Sequence, residues 1–230
     1  MAHGRSETAA QIARRATAPL RKGETVDLTG LDISDALDLT GAAIANVDFS
    51  GTRFGGPVDL RGATFGGLAW FKGATFAAPV DMTGAVFNND LRLDNATFDA
   101  QARFSRAQLF GVFSLDGATF ADRADLDAIV AFGNVSMNAT RFIGPVTLQD
   151  CDMLGGLWLD NTVFQSRADF RGVEVHGRTW LTGVTLAEAA AVKSSRGQIR
   201  DIVSYGYRWS QDGGPSHEYR ADDLRKRRER

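Results

Sequence analysis

The side chains that could carry chemistry in this chain of 230 residues are three histidines, one cysteine and a recurring set of aspartates. His3, His176 and His217 stand far apart, without the acidic and nucleophilic neighbours that a general base or an activated nucleophile requires. No phosphate-binding GxxxxGK, nucleophile elbow GxSxG or zinc-binding HExxH occurs. One cysteine and three histidines are also a poor donor set for a structural zinc, and the calcium-binding nonapeptide GGxGxDxUx is missing. These patterns predict a protein that is not an enzyme and that holds no metal and no cofactor.

The elements that must position any site are set by a period. Phe49, Leu60, Phe71, Met82, Leu93, Phe104, Leu115, Leu126, Met137, Leu148, Leu159, Phe170 and Leu181 follow one another at a spacing of eleven. A second apolar series lies five residues after each, from Phe54 and Phe65 to Leu186, so the repeat is five plus six. Two residues before each centre stands another small or apolar residue, as at Val58, Ala63, Ala69 and Ala74, which is the alternation of a strand. Cys151 occupies this inward position before Met153 and reads as a core filler. Two residues after many centres comes Gly or Asn, as at Gly62, Gly73, Gly84 and Asn95, where a corner calls for positive φ. Each unit is therefore a very short strand followed by a tight corner.

The segments DLTGA (38–42), DFSGT (48–52), DLRGA (59–63) and SLDGA (114–118) resemble the pentapeptide-repeat family, and the likeness extends over residues 26–186. The resemblance implies an all-β fold, a right-handed quadrilateral parallel β-helix with four sides per coil. A sixth residue in alternate repeats, after Phe54, Phe65 and Phe76, makes the coil 22 residues long and every second corner bulge. Outward residues keep that longer period: Pro57, Pro79 and Pro145; Thr75, Thr97 and Thr119; Trp158 and Trp180, with Trp70 four coils away. About thirty centres give ~7.5 coils, or roughly 36 Å of rod at ~4.8 Å between stacked strands. Short helical caps are expected at the ends: residues 1–25 as an N-terminal cap with a helix over 7–18, and residues 187–230 as a C-terminal cap with a helical piece over 187–195 and a charged tail. Coils this regular offer no long loops of the kind a sugar-cleaving β-helix uses.

Function is then expected on the surface. Asp59, Asp81, Asp125 and Asp169 form one outward column, with Asp94, Asp116 and Asp160 just after the centres of another side, and residues 26–186 hold 19 acids against 11 bases. The family resemblance includes acidic rods that imitate DNA and occupy the DNA saddle of type II topoisomerases. Phe110, Phe132 and Leu154 open six-residue corners one coil apart and form a possible apolar ridge, while Trp70, Trp158 and Trp180 stand at outward strand positions. The first reading is a non-enzymatic protein-binding scaffold, its partner another protein or a second copy of the chain. The alternative is a DNA mimic that binds DNA gyrase. Direct nucleic-acid binding is not expected. Without an apolar run of 18 residues or a signal-peptide core in residues 1–25, a cytoplasmic protein away from the membrane is expected.

Overall fold

The computed structural model of the chain describes residues 7–21 and 23–186, together with the backbone alone of three short strands at Val203–Ser204, Arg208–Trp209 and Pro215–His217. Between Val26 and Leu186 the chain forms thirty strands of two residues each. They fall in rotation on four faces: the first from Val26–Asp27 to Thr179–Trp180, the second from Asp32–Ile33 to Thr185–Leu186, the third from Leu37–Asp38 to Ala168–Asp169, and the fourth from Ala43–Ile44 to Glu174–Val175. Every strand pairs in parallel with the strand one coil away, as in Val58↔Val80↔Ala102. The fold is thus a quadrilateral parallel β-solenoid. Strands this short cannot cover a face alone, so each coil is held by the ladder it makes with its neighbours, as in Leu60 N–H donating to Asp81 O at 2.7 Å.

The alternation read from the sequence fills the tube. Val58 and Leu60 point inward at 3% and 1% exposure while Asp59 between them faces out. Inside, Phe54, Phe76, Phe98, Phe120, Phe142 and Phe164 form one continuous stack, with ring centroids 4.4 to 5.2 Å apart. Their spacing follows the strand repeat, so a single column of rings runs through six coils of the core.

Two kinds of corner alternate, which is where the sixth residue goes. After Leu60 only Arg61 and Gly62 separate the inward residues, and Gly62 closes the turn at φ +64°. After Phe65 three residues, Gly66 to Leu68, intervene, and neither glycine there has positive φ. The left-handed position recurs along the rod but is not reserved for Gly or Asn: Arg106, Ala128, Ala139 and Asp150 adopt φ of 59°, 55°, 54° and 56°. Backbone pairing pins these corners strongly enough to hold side chains in a costly conformation. The first coil departs from the period, because Val26 pairs with Val47 and Ala43 with Thr64, a step of 21, whereas Val47 pairs with Ala69, a step of 22. The missing residue lies in the corner around Asn46, whose amide compensates by bridging coils: Nδ2 donates to Glu24 O at 2.9 Å and Oδ1 accepts from Leu68 N at 2.8 Å.

At the N-terminal end, the helix expected over 7–18 is α1 (Ala9–Ala16), capped by Thr8 and Gln11 reciprocally, with Ile12 and Ala16 buried toward the first coil. The helical piece expected over 187–195 lies outside the described residues. Farther on, Val203–Ser204 extends the fourth face beside Glu174–Val175, and Arg208–Trp209 extends the first face beside Thr179–Trp180. Pro215–His217 then pairs antiparallel with Arg208–Trp209. The eleven-residue series ends at Leu186, yet two of the four ladders continue.

Candidate protein-docking face

On the third face the outward column reads Asp38, Asp59, Asp81, Arg103, Asp125, Thr147 and Asp169 in backbone register. The four aspartates singled out from the sequence therefore share a column but not an unbroken one, since Arg103 and Thr147 occupy the rungs between them. Each carboxylate is engaged. Asp59 is held by Arg61, whose Nε lies 2.9 Å away, and this hydrogen bond keeps its pKa below the ordinary value. Asp81 pairs with Arg103 at 3.5 Å, and Asp125 accepts from Ser105 Oγ at 2.6 Å. Asp169 is buried, which alone would raise its pKa, but Arg171 and Arg167 at 2.8 and 2.9 Å outweigh burial and hold it low. Asp38, Asp59, Asp81, Asp125 and Asp169 also accept the N–H two residues on, at 2.9 to 3.3 Å. These aspartates close corners; their charge is directed into the rod's own backbone and arginines.

The corner between the fourth and first faces is different. Of the chain's 15 phenylalanines, 13 are at most 1% exposed, and the two exceptions, Phe110 and Phe132 at 44% and 46%, lie one above the other on this corner. Their rings stack with centroids 4.6 Å apart and planes 2° from parallel, and Leu154, 45% exposed, continues the ridge. The possibility that the longer corner folds these side chains inward is excluded by their exposure. Behind the ridge runs a glycine ladder. A methyl group on Gly133 would strike the Gly111 carbonyl, and one on Gly155 the Gly133 carbonyl, so the coils approach here as closely as backbone allows. The ridge is thereby fixed on a rigid edge.

The first face begins three residues past each ridge residue, as from Phe110 to Phe113. Its outward column carries Trp70, Arg92, Ser114, Ser136, Trp158 and Trp180. Trp158 and Trp180 stack at 4.2 Å, both half-buried, and the Trp158 indole lies across Gly156, whose added Cβ would be 2.8 Å from the ring. Trp70 stands apart, under the Lys72 ammonium at 5.0 Å. The structure thus places the apolar ridge and the tryptophan pair on adjoining strips of one surface, Leu154 standing four residues before Trp158, and leaves the aspartate column on another face. Arg92, Ser114, Ser136 and Asn134 were not singled out from the sequence, although the 22-residue spacing places Arg92 beside Trp70 and Ser136 beside Trp158.

Corner carboxylates on this face bridge coils. Asp116 Oδ1 accepts from Ser136 Oγ at 2.6 Å and Asn138 N at 2.8 Å, Asn138 Oδ1 accepts from Asp160 N at 3.1 Å, and Asp160 Oδ1 from Thr182 N at 2.8 Å. Asp94 is held by Arg92 and Ser114; burial would raise its pKa, but these bonds bring it below the usual range. Cys151 is buried, and burial pushes its thiol up to about 12. Half a coil away, before strands of the second face, Thr52, Thr140 and Thr162 take the same inward position, each sending its Oγ to a carbonyl 24 or 25 residues back, as Cys151 Sγ does to Leu126 O at 3.1 Å. His176 occupies the corner above Leu154, with Nε2 3.0 Å from Asp152 Oδ1. Among the described residues, no group of three His, Cys, Asp or Glu side chains is arranged to hold a metal, and no helix is long and apolar enough to cross a membrane.

Residues 60–108 match the family model described as pentapeptide repeats, in nine copies. No curated protein matches the chain.

Proposed function

Starting from a quadrilateral β-solenoid whose residues 60–108 match pentapeptide repeats, we propose that the chain is a non-enzymatic scaffold that binds a protein partner through the corner between its fourth and first faces. The observation that carries this reading is the Phe110–Phe132–Leu154 ridge, whose rings are exposed in a chain that buries every other phenylalanine. Two aromatic side chains held in contact with water cost the fold solvation free energy and contribute little to it, whereas a partner covering them would gain it. The rigid ladder behind them reduces the ordering cost of binding. Cys151, the best nucleophile type in the chain, is a buried thiol with a raised pKa and adds nothing to an enzymatic reading.

The gyrase-binding alternative requires a surface that imitates a phosphate column. The interruption by Arg103 and Thr147, and the arginine partners of Asp59, Asp81 and Asp169, weigh against it. A single experiment separates the two. Immobilised protein is exposed to lysate of its source cells, in parallel with Phe110→Ser/Phe132→Ser and Asp81→Lys/Asp125→Lys variants, and each is assayed on gyrase supercoiling. The scaffold reading expects a captured protein that the phenylalanine variant releases and the aspartate variant keeps, with no gyrase effect. Gyrase inhibition or protection abolished by the aspartate reversals would overturn it.

A further inference from the structure

The stacked column of the first face has a gap. Between Arg92 and Trp158 the two rungs are Ser114 and Ser136, and the missing side chains leave a shallow notch of about 240 Å³. At its upper wall, one face of the Trp158 indole is covered by Trp180, and the other borders the notch. Asp116 stands at the side, using Oδ1 for Ser136 and Asn138, and no cationic side chain among the described residues forms an ion pair with it. Arg92 at the lower wall is already committed to Asp94, through two bonds of 2.9 and 3.0 Å.

Each wall restricts the occupant. Three strand steps separate Arg92 from Trp158, roughly 14 Å between backbones, so a flat group fits against the indole without displacing Arg92. The open aromatic face attracts a cation, and the carboxylate of Asp116 supplies the counter-charge and a hydrogen-bond acceptor. An anion would meet Asp116 with no unpaired arginine to compensate. A planar guanidinium satisfies both the face and the acceptor, which a lysine ammonium does only as a point charge. The surrounding rod, with 19 acids against 11 bases over residues 26–186, favours approach by a basic segment. The Phe110–Phe132 ridge lies two residues before Val112 and Asn134 on the notch's edge, so an apolar residue near that arginine would find its own contact.

We propose that the notch below Trp158 receives an arginine side chain from a basic segment of a protein partner, its guanidinium flat on the indole and hydrogen-bonded to Asp116. This rests on the scaffold reading and specifies the partner's chemistry. The test is fluorescence anisotropy of a labelled GLRGLRG peptide on the full chain, beside counterparts carrying lysine or the neutral isostere citrulline. The arginine peptide should bind and change the tryptophan emission, with about tenfold weaker binding for citrulline and an intermediate value for lysine. Asp116→Asn, which keeps the acceptor for Ser136 and Asn138, should cost about tenfold, and Ser136→Phe, which fills the notch, should abolish binding. Equal binding of the citrulline peptide, or wild-type binding by both variants, would overturn the proposal. Failure of the arginine peptide to bind would also overturn it, while leaving the scaffold reading to stand or fall on release of the captured protein by Phe110→Ser/Phe132→Ser.

Discussion

Inside the rod, six phenylalanine rings from Phe54 to Phe164 stack coil upon coil; outside, Phe110 and Phe132 stack at 4.6 Å and Trp158 and Trp180 at 4.2 Å in the same parallel manner. The ladder imposes the ring geometry in both places, because register fixes every side chain one strand spacing from its counterpart. Burial is what differs. The inner rings are essentially inaccessible, whereas Phe110 and Phe132 keep 44% and 46% of their surface in water. Stacking alone therefore does not separate the two columns; the water left on the outer rings does. The inner column draws its stability from burial, and the outer one holds apolar surface in reserve.

The strongest way to break this comparison is to remove a ring from the middle of the inner stack. Phe98 lies between Phe76 and Phe120 at 4.9 and 4.4 Å, fully buried, and Phe98→Ala should cost about 3–5 kcal/mol in denaturant unfolding. A loss under about 1 kcal/mol would mean the core relaxes around the cavity and the two columns are energetically alike.

Next in size is the carboxylate that the sequence presents as surface charge. Asp169→Asn should cost about 1–2 kcal/mol near neutral pH, because it weakens bonds to Arg167 and Arg171 at a buried carboxylate, while Arg171 is half in water and Arg167 mostly so. The folded pKa of Asp169 is lowered, so its contribution is complete above the ordinary carboxylate value of about 4 and is lost as pH falls through the depressed folded value. Acid titration of stability should therefore be flatter in the variant. An unchanged profile would place Asp169 among ordinary exposed acids.

Effects of similar or smaller size belong to the corners. Ala139 is held at φ 54°, a conformation that glycine adopts without strain, so Ala139→Gly should stabilise by up to about 1 kcal/mol, and Gly73→Ala at φ 63° should cost about 1–2 kcal/mol. Thermal melts of the two variants should shift in opposite directions. Smallest is the effect of stripping the outer stack: Phe110→Ser with Phe132→Ser should change stability by no more than about 0.5 kcal/mol per site, as at other exposed positions. A loss as large as that of Phe98→Ala would make the ridge part of the fold.

Much of this architecture was legible because a solenoid repeats its physics every coil. The eleven-residue series, the inward Val58 and Leu60, the alternating corners and the Thr75–Thr97–Thr119 register are local consequences of side-chain alternation, and the period itself encodes the long-range pairing. The same 22-residue step also names Arg103 and Thr147 as the rungs between the aspartates, so the broken column was readable in principle. Other features were not. The missing residue near Asn46 is concealed by an asparagine that bridges coils, and Ala128 and Ala139 do not look like left-handed residues. Cys151 was recognisable as core, but its equivalence to Thr140 and Thr162 needs the hydrogen bonds. The adjacency of the ridge and the Trp158 notch follows from the four-residue step from Leu154 to Trp158, whereas the notch itself needed the structure, because its walls are Arg92 and Trp158, three strand steps apart. Beyond Leu186 the added strands do not keep the eleven-residue spacing, so pattern reading had no purchase there.

The claim that the outer column exists to be covered is tested most directly by placing a photoreactive p-benzoylphenylalanine at position 132 and, separately, at position 143, then irradiating the full chain in its source cells. Ile143 is 42% exposed on a different corner and serves as the reference. The account predicts a discrete protein adduct from position 132 that disappears when Phe110 is changed to Ser, and none from position 143. No adduct from position 132, or equal adducts from both positions, would contradict it.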